Sequence, residues 1–360
     1  MSLTRTPLDS PSMRDTISIH LVREAVRDSH VDLERILQAA GIDDRLLLDD
    51  QARVPVQRYA RLWRQLARAL DDEFFAMDAR PLRRGSFAFL CQACRQQPTV
   101  GAALKLALEF LALMLSDYDG RLATQQSLAE IVLRERSADP KRAFSCFTYW
   151  MIVHGIACWL AGRRIPILAM ELRGPAPRYV GDYQVMFSPN LRFERPRTRL
   201  IFAAEHLDIP VRRSATELRR FLARAPANIL VRYRDPDSLG WRIRQHLRNL
   251  PAADFPAIEA MAAHCGVSVA TLRRHLTEEG AGYQALKDSV RRERAVLWLA
   301  EPQATFEDIA ERLGFADASS FYKAFRKWTG ASPGHYRSLI LDADDPQFTK
   351  PRAMPQQTIR

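Results

Sequence analysis

The stretch TFEDIAERLGFADASSFYKAFRKWTGASPGHYR, residues 305–337, decides how this chain is read. Thr305 with Asp308 three residues later is a capping-box start for a helix. Phe306, Ile309, Ala310 and Leu313 then share one face at helical spacing, and Gly314 supplies the left-handed residue that ends the turn. Phe315 plugs that turn. Asp317 caps a second helix whose apolar face is Phe321, Ala324, Phe325 and Trp328. The opposite face presents Ser319, Tyr322, Lys323 and Arg326, with Ala318 and Lys327 beside it. Gly330 and Pro333 stop the helix. A helix, a short glycine turn and a second helix with a cationic polar face is the arrangement that places a reader in the major groove.

The same plan occurs just upstream. Met261-Ala262-x-x-Cys265-Gly266-Val267 echoes Ile309-Ala310-x-x-Leu313-Gly314-Phe315. Ser268 caps the helix VATLRRHLTEE, with Leu272 and Leu276 inward and Ala270, Arg273, Arg274 and Thr277 pointing away. Between the copies, residues 283–299 (YQALKDSVRRERAVLWL) form a continuous amphipathic helix. At about 1.5 Å per residue it spans roughly 25 Å. Two recognition helices held by such a strut can enter successive major grooves on one face of a duplex, whose turn is about 34 Å. A flexible linker could not fix that separation.

Residues 314–337, GFADASSFYKAFRKWTGASPGHYR, closely resemble the C-terminal signature of AraC/XylS-type transcription regulators. The resemblance implies a twin helix-turn-helix domain that binds promoter DNA, an N-terminal effector domain, and activation rather than repression. Carried onto this chain, the family's base-facing positions are Ala270, Arg273 and Arg274 in the first motif and Ala318, Ser319, Tyr322 and Lys323 in the second. Arg273 can fork onto a guanine O6/N7 edge and Lys323 can make a simpler contact there, whereas Ala270 can only meet a thymine methyl. Arg326, Lys327 and Arg292 are candidates for phosphate contacts, which give salt-dependent affinity.

From the start of the chain, 360 residues suggest two domains, and 47% hydrophobic with 26% charged residues is an ordinary soluble composition. Residues 1–15 read as a loose polar terminus without a secretory signal. The apolar stretches 102–115 and 144–160 are interrupted by Lys105, Glu109 and His154, and read as core helices too short and broken to span a bilayer. A cytoplasmic, bacterial-type regulator is expected. The net charge of +11 favours polyanionic partners, but the region 240–337 is no more basic than the rest. Placement carries the argument: Glu301, Glu307, Asp308 and Glu311 lie on or before the leading helix of the second motif, and Lys323, Arg326 and Lys327 cluster on the trailing one.

Helices are expected over residues 17–27, 31–40, 55–70, 87–96, 100–115, 141–160, 213–233 and 239–250. Strands are expected over 119–124, 128–134, 167–172, 184–187, 191–193 and 200–203. The fold class is therefore mainly α: an α+β effector domain with a small, mostly antiparallel sheet, then an all-α domain with two helix-turn-helix motifs joined by a linker helix. The expected division is a disordered terminus over 1–15, an effector-sensing and dimerisation domain over 16–234, the DNA-binding domain over 237–340 and a disordered tail over 341–360. Arg234-Asp235-Pro236-Asp237 is the natural boundary. Phe187-x-x-Asn190-x-x-Phe193 and Pro196-x-x-x-Leu200-x-Phe202-x-x-x-x-Leu207-x-x-Pro210-Val211 look similar to the effector domain of the branch called arabinose-binding. Helices dominate the first hundred residues, unlike the cupin barrel of other members.

No residue is singled out for the effector. Trp150, Tyr149, Phe147 and Phe110 form an aromatic stripe of the kind that is usually core. Arg83-Arg84 and Arg163-Arg164 could pair with an acidic effector. His154 reads as a core histidine. The five cysteines indicate no disulfide framework. Cys91 and Cys94, at helical i, i+3 beside Phe87 and Leu90, read as core packing; a zinc or redox role would need Cys146, His154 and Cys158 as partners. No catalytic motif, phosphate loop, metal site or cofactor is indicated, and an enzyme is not expected. A DNA-repair alkyl-acceptor protein would demand a four-cysteine zinc centre or a Pro-Cys-His-Arg acceptor, and neither is in the sequence. A non-sensing architectural protein would have no use for so long a structured region before the reader. Promoter DNA, RNA polymerase, a small-molecule effector and a second copy of the chain are the expected partners.

Overall fold

The computed structural model describes residues 16–125, 127–188, 190–230, 239–278 and 282–341. The expected loose terminus over 1–15, the boundary at Arg234–Asp237 and the tail beyond Leu341 lie outside these residues.

The chain opens with a two-stranded antiparallel pair, β1 (Thr16–Ser18) and β2 (Arg53–Pro55), which encloses α1 (Ile19–Val26) and α2 (Leu33–Ala40). The pairing joins residues far apart in sequence, through strands too short to show a period, and was not expected. Helices α3 (Val56–Leu70), α4 (Ser86–Arg95) and α5 (Val100–Met114) follow. A hairpin, β3 (Tyr118–Gln125) and β4 (Leu128–Glu135), then leads into α6 (Ala143–Ala161). Its continuation is β5 (Ile167–Glu171), α7 (Val180–Met186), β6 (Leu191–Arg192), β7 (Thr198–Ala203), α8 (Ala215–Arg224) and α9 (Ala227–Leu230).

The larger sheet has the order β3-β4-β7-β5-β6, antiparallel except for the parallel β5–β6 pair. Its period of two, interrupted by a register shift between Ile167 and Ala169, divides the side chains between two cores. Ile131, Leu133, Leu200 and Phe202 face the effector-domain core, whereas Leu128, Leu168, Ala169 and Ile201 join a core shared with the C-terminal helices.

Three expectations need correction. Residues 184–186 are helical and Phe187 caps them, in place of a strand, because α7 stacks Tyr183 on Phe147 (ring centroids 3.5 Å apart) and brings Phe187, one turn on, to the same ring at 5.3 Å. The helix expected over 213–233 is divided at Pro226, with extended Ala225 before it, because proline disfavours helical backbone in the preceding residue. Helix α6 is neither short nor broken. Its 19 residues meet the length and composition of a membrane span, but 83% of that window is buried in the molecule, as for a helix apolar on all sides. His154 is accommodated there because a ring nitrogen lies 2.8 Å from the Ile165 carbonyl.

The C-terminal helices are α10 (Leu239–Arg248), α11 (Ile258–His264), α12 (Val269–Glu278), α13 (Tyr283–Leu299), α14 (Phe306–Arg312), α15 (Ala318–Thr329) and α16 (Pro333–Leu341). Helix α13 belongs to both local cores. Tyr283, Leu286 and Val290 pack with Ile243, Leu247, Met261, Leu272 and Leu276 of the first motif. Ala295, Val296 and Leu299 pack with Ile309, Leu313, Phe321, Phe325 and Tyr336 of the second.

Candidate nucleic-acid interface

Each motif is built as its sequence dictates. In the second, the Thr305 side chain accepts from the Asp308 amide at 3.1 Å and Asp308 accepts from the Thr305 amide at 3.2 Å, which closes the capping box. Gly314 has φ +74° and ends α14. Asp317 accepts from the Ser320 amide at 2.7 Å, and that bond holds its carboxyl below the usual carboxylate range. In the first, Gly266 has φ +69° and Ser268 Oγ accepts from the Thr271 amide at 3.1 Å. Leu272, Leu276, Phe321 and Phe325 are buried, so the opposite faces of α12 and α15 are turned outward.

Those outward faces hold most of the expected site. Ala270, Arg273 and Arg274 are exposed on α12, and Ser319, Lys323, Arg326 and Lys327 on α15. Among the described residues none of these cations is in an ion pair, so their charge is available to a polyanion. Ala318 is half-buried at the start of α15. Tyr322 is half-buried too, its ring edge-on to Phe306 at 5.3 Å, so only part of it remains on the reading face. Arg292 is not brought to either face. It lies half-buried in a cavity between the two domains, and its Nη1 donates to the Trp328 carbonyl at 3.4 Å. The amphipathic pattern of α13 placed it on a polar side, but that side is covered by the effector domain.

Arg291, its neighbour, has a structural role that no sequence motif marks. Its Nε donates to the Leu313 carbonyl at 3.1 Å and its Nη2 to the Ala252 carbonyl at 3.3 Å, while the guanidinium sits 5.2 Å from the Phe255 ring and 5.6 Å from the Phe315 ring. It ties the turn of the second motif to the segment leading into the first, and so fixes how the two readers stand relative to each other. Tyr336, inside the signature of residues 314–337, is a second such residue. Its hydroxyl donates to the Leu168 carbonyl at 2.7 Å and accepts from the Asn190 amide at 3.2 Å, which fastens the second reader to the effector-domain sheet. Beneath this contact Arg199 pairs with Glu171 at 2.6 Å and with Glu130 at 3.1 Å, all within the covered face. Only the chain's tertiary folding brings these residues together.

Among the described residues, two cavities approach the size that suits small molecules. One of about 560 Å³ lies in the seam between the domains, with Arg164, Phe187, Arg244 and Arg292 in its walls. The other, about 280 Å³, lies among α3, α4, α6 and α9 and is lined by Trp63, Arg64, Glu73, Arg84 and Ile229 among others. Of the pairs that could meet an acidic effector, Arg84 and Arg164 each reach a cavity, while Arg83 and Arg163 are exposed. Phe147, Tyr149 and Trp150 are buried core, and Phe110 packs against Phe89. The thiols of Cys91, Cys94, Cys146 and Cys158 are also core, and Cys265 is half-buried. Burial pushes Cys94 up to about 12 and Cys91 well above its ordinary value, and Cys94 Sγ donates to the Ala103 carbonyl. Among the described residues no group of three or more His, Cys, Asp or Glu side chains could hold a metal ion.

Comparison with known proteins agrees with this architecture. The profile described as the arabinose-binding domain of AraC transcription regulator, N-terminal, matches residues 31–211, and a helix-turn-helix domain profile matches residues 261–338. The ornithine utilization regulator of Pseudomonas aeruginosa is 30% identical over 259 residues, which cover 71% of this chain and 76% of that protein. The regulator VqsM of the same organism is 33% identical over 97 residues, 27% of this chain and 30% of its own length. The transcriptional activator NphR of a Rhodococcus species is 34% identical over 90 residues, 25% of this chain and 27% of its own.

Proposed function

Since this chain belongs to the AraC family of transcription regulators, with a helix-turn-helix DNA-binding domain and an N-terminal effector-binding domain, we propose that it is a cytoplasmic, one-component activator that responds to a small molecule. Helices α12 and α15 enter successive major grooves of a promoter. Arg273, Arg274 and Lys323, with Ala270, Ala318, Ser319 and the exposed part of Tyr322, meet base edges, and Arg326 and Lys327 meet phosphates. The effector domain, spanning about residues 16–234, binds the signal and joins two copies of the chain. The DNA-bound dimer recruits RNA polymerase. The sense of activation follows the Rhodococcus relative, whose name states it. The chain is not itself a catalyst in this reading.

One observation carries the reading: two exposed cationic helix faces, each backed by its own core, share one strut, α13, and Arg291 on it ties the two motifs together. Independent domains on a flexible tether would not hold two readers in a fixed register. Footprinting of the full-length protein on its own upstream region tests it. Two protected segments about one helical turn apart are expected. Protection of a single segment, or protection without sequence preference, would defeat the twin-reader reading.

A further inference from the structure

The seam cavity brings five arginines, Arg164, Arg244, Arg248, Arg292 and Arg294, around one acidic side chain, Glu293. Glu293 is already shared. Arg244 pairs with one of its oxygens, and Arg248 reaches the other from Nη2 at 2.5 Å and from Nε at 3.1 Å. Burial opposes the charge on Glu293, but Arg244 and Arg248 outweigh it and hold the carboxyl at about 2. Arg294 is engaged elsewhere, with its Nη2 donating to the Arg248 and Leu250 carbonyls at 3.0 and 2.6 Å.

That leaves Arg164 from the effector domain and, from α13, Arg292, whose single bond among the described residues is the long one from Nη1 to the Trp328 carbonyl at 3.4 Å. Neither has a carboxylate partner among the described residues. Arg164 Nη2 donates to the Phe187 carbonyl, but its Nε and that of Arg244 are buried with no hydrogen-bond partner among the described residues. Such donors are costly to leave unmatched. Burial and the neighbouring Arg244 push Arg164 down to about 10, and burial also lowers Arg292. Glu293 acts on both electrostatically but is already shared by Arg244 and Arg248, and Glu205 and Asp288, which also act on Arg292, are not in the cavity wall. Gln184 and Ser188 add two polar side chains, and the rest of the lining, including Ile167, Leu168, Val185, Phe187 and Val296, is apolar and strengthens any charge interaction made there.

We propose that this cavity binds a small multivalent oxyanion, a polycarboxylate or a phosphate ester, which bridges Arg164 of the effector domain to Arg244 and Arg292 of the DNA-binding domain. Planar guanidinium forks suit both headgroups. A single negative charge would leave most of the excess uncompensated, which is why the ligand is multivalent. Because the site has walls from both domains, its occupant favours the arrangement in which α13 sits on β5. The consequence at DNA rests on the regulator reading, whereas the binding itself does not.

Isothermal titration of the full-length protein with citrate and with pyrophosphate, at ionic strength held constant with sodium chloride, tests the site. Saturable one-site binding of at least one of them is expected, and the tighter of the two identifies the headgroup source. Arg164→Gln and Arg292→Gln should each weaken it tenfold or more. Arg45→Gln, an exposed residue paired with Asp43 at 2.6 Å, should leave it unchanged. Thermal unfolding followed by circular dichroism confirms that each variant is folded, and either arginine variant suffices if the other is not. Absence of saturable binding by both anions, or binding that neither variant weakens, would overturn the site. Octanoate binding more tightly than both would overturn the multivalent assignment. A DNA affinity that the bound anion does not move would overturn the regulatory half alone and leave the regulator reading standing.

Discussion

The two helix-turn-helix motifs share a plan and differ in what surrounds them. In the first, Gly266 turns into open space, with nothing within 4 Å of where a Cβ would stand, and the core is completed by α10 and α13. In the second, a Cβ on Gly314 would stand 2.7 Å from the Ala253 backbone, and the core runs into the effector-domain sheet through Leu128, Leu168 and Ile201. Gly330, at the far end of α15, lies against Ser127 of the β3–β4 turn. A repeated sequence therefore gives a repeated local structure but not a repeated role. The second reader is where the effector domain holds the DNA-binding domain, and the first is carried by the strut.

The largest expected effect separates the two glycines. Gly314→Ala adds a backbone clash to left-handed strain and should lower stability by on the order of 3 kcal/mol, whereas Gly266→Ala should cost about 1 kcal/mol, from strain alone. Chemical denaturation of both variants measures this, and equal losses would erase the contrast. Next is Tyr336→Phe. It removes the hydroxyl from a buried group of three and should destabilise the full chain by about 1–2 kcal/mol. Faster amide exchange at β5 than in the wild type should accompany it, without a matching change in α12; uniform exchange would mean that the contact is not the fastening point.

A smaller effect distinguishes the caps. Ser268→Ala should cost about 1 kcal/mol of helix stability at any pH. The Asp317 cap depends on a carboxylate whose folded pKa is depressed by the Ser320 amide. Its contribution is present above about pH 4, the usual carboxylate range, and is lost as pH falls through the lowered folded value. Acidification should thus loosen the start of α15 before that of α12, as read by amide protection at Ser320 and Thr271.

Much of this was legible in the sequence because it is local. Caps, turn glycines and apolar spacing lie within a few residues of one another, so Thr305, Gly314 and Asp317 disclosed the second motif, and its echo disclosed the first. The hairpin and the long helices followed from periodicity. What was not legible depends on contacts between distant residues. Asn190 and Tyr336 stand in separate quoted motifs, and nothing in either shows that they meet. Arg292 and Arg326 look alike in sequence, yet one is enclosed in the seam and the other is exposed. Tyr183 and Phe187 form a helix because Phe147 is there to stack on. The seam cavity, whose walls come from both domains, could not be read at all.

The most direct test of the account is the affinity of full-length Arg273→Ala and Lys323→Ala for the footprinted upstream site and for random duplex, each at two salt concentrations. The full chain is required because the core of the second reader includes the effector-domain sheet. The account predicts that each variant loses about 1–3 kcal/mol on the specific site while binding to random DNA changes little, with an unaltered salt slope on the site for neither cation being counted among the phosphate contacts. Equal losses on both duplexes would show that these two side chains only attract phosphate, and would contradict the claim that α12 and α15 read bases.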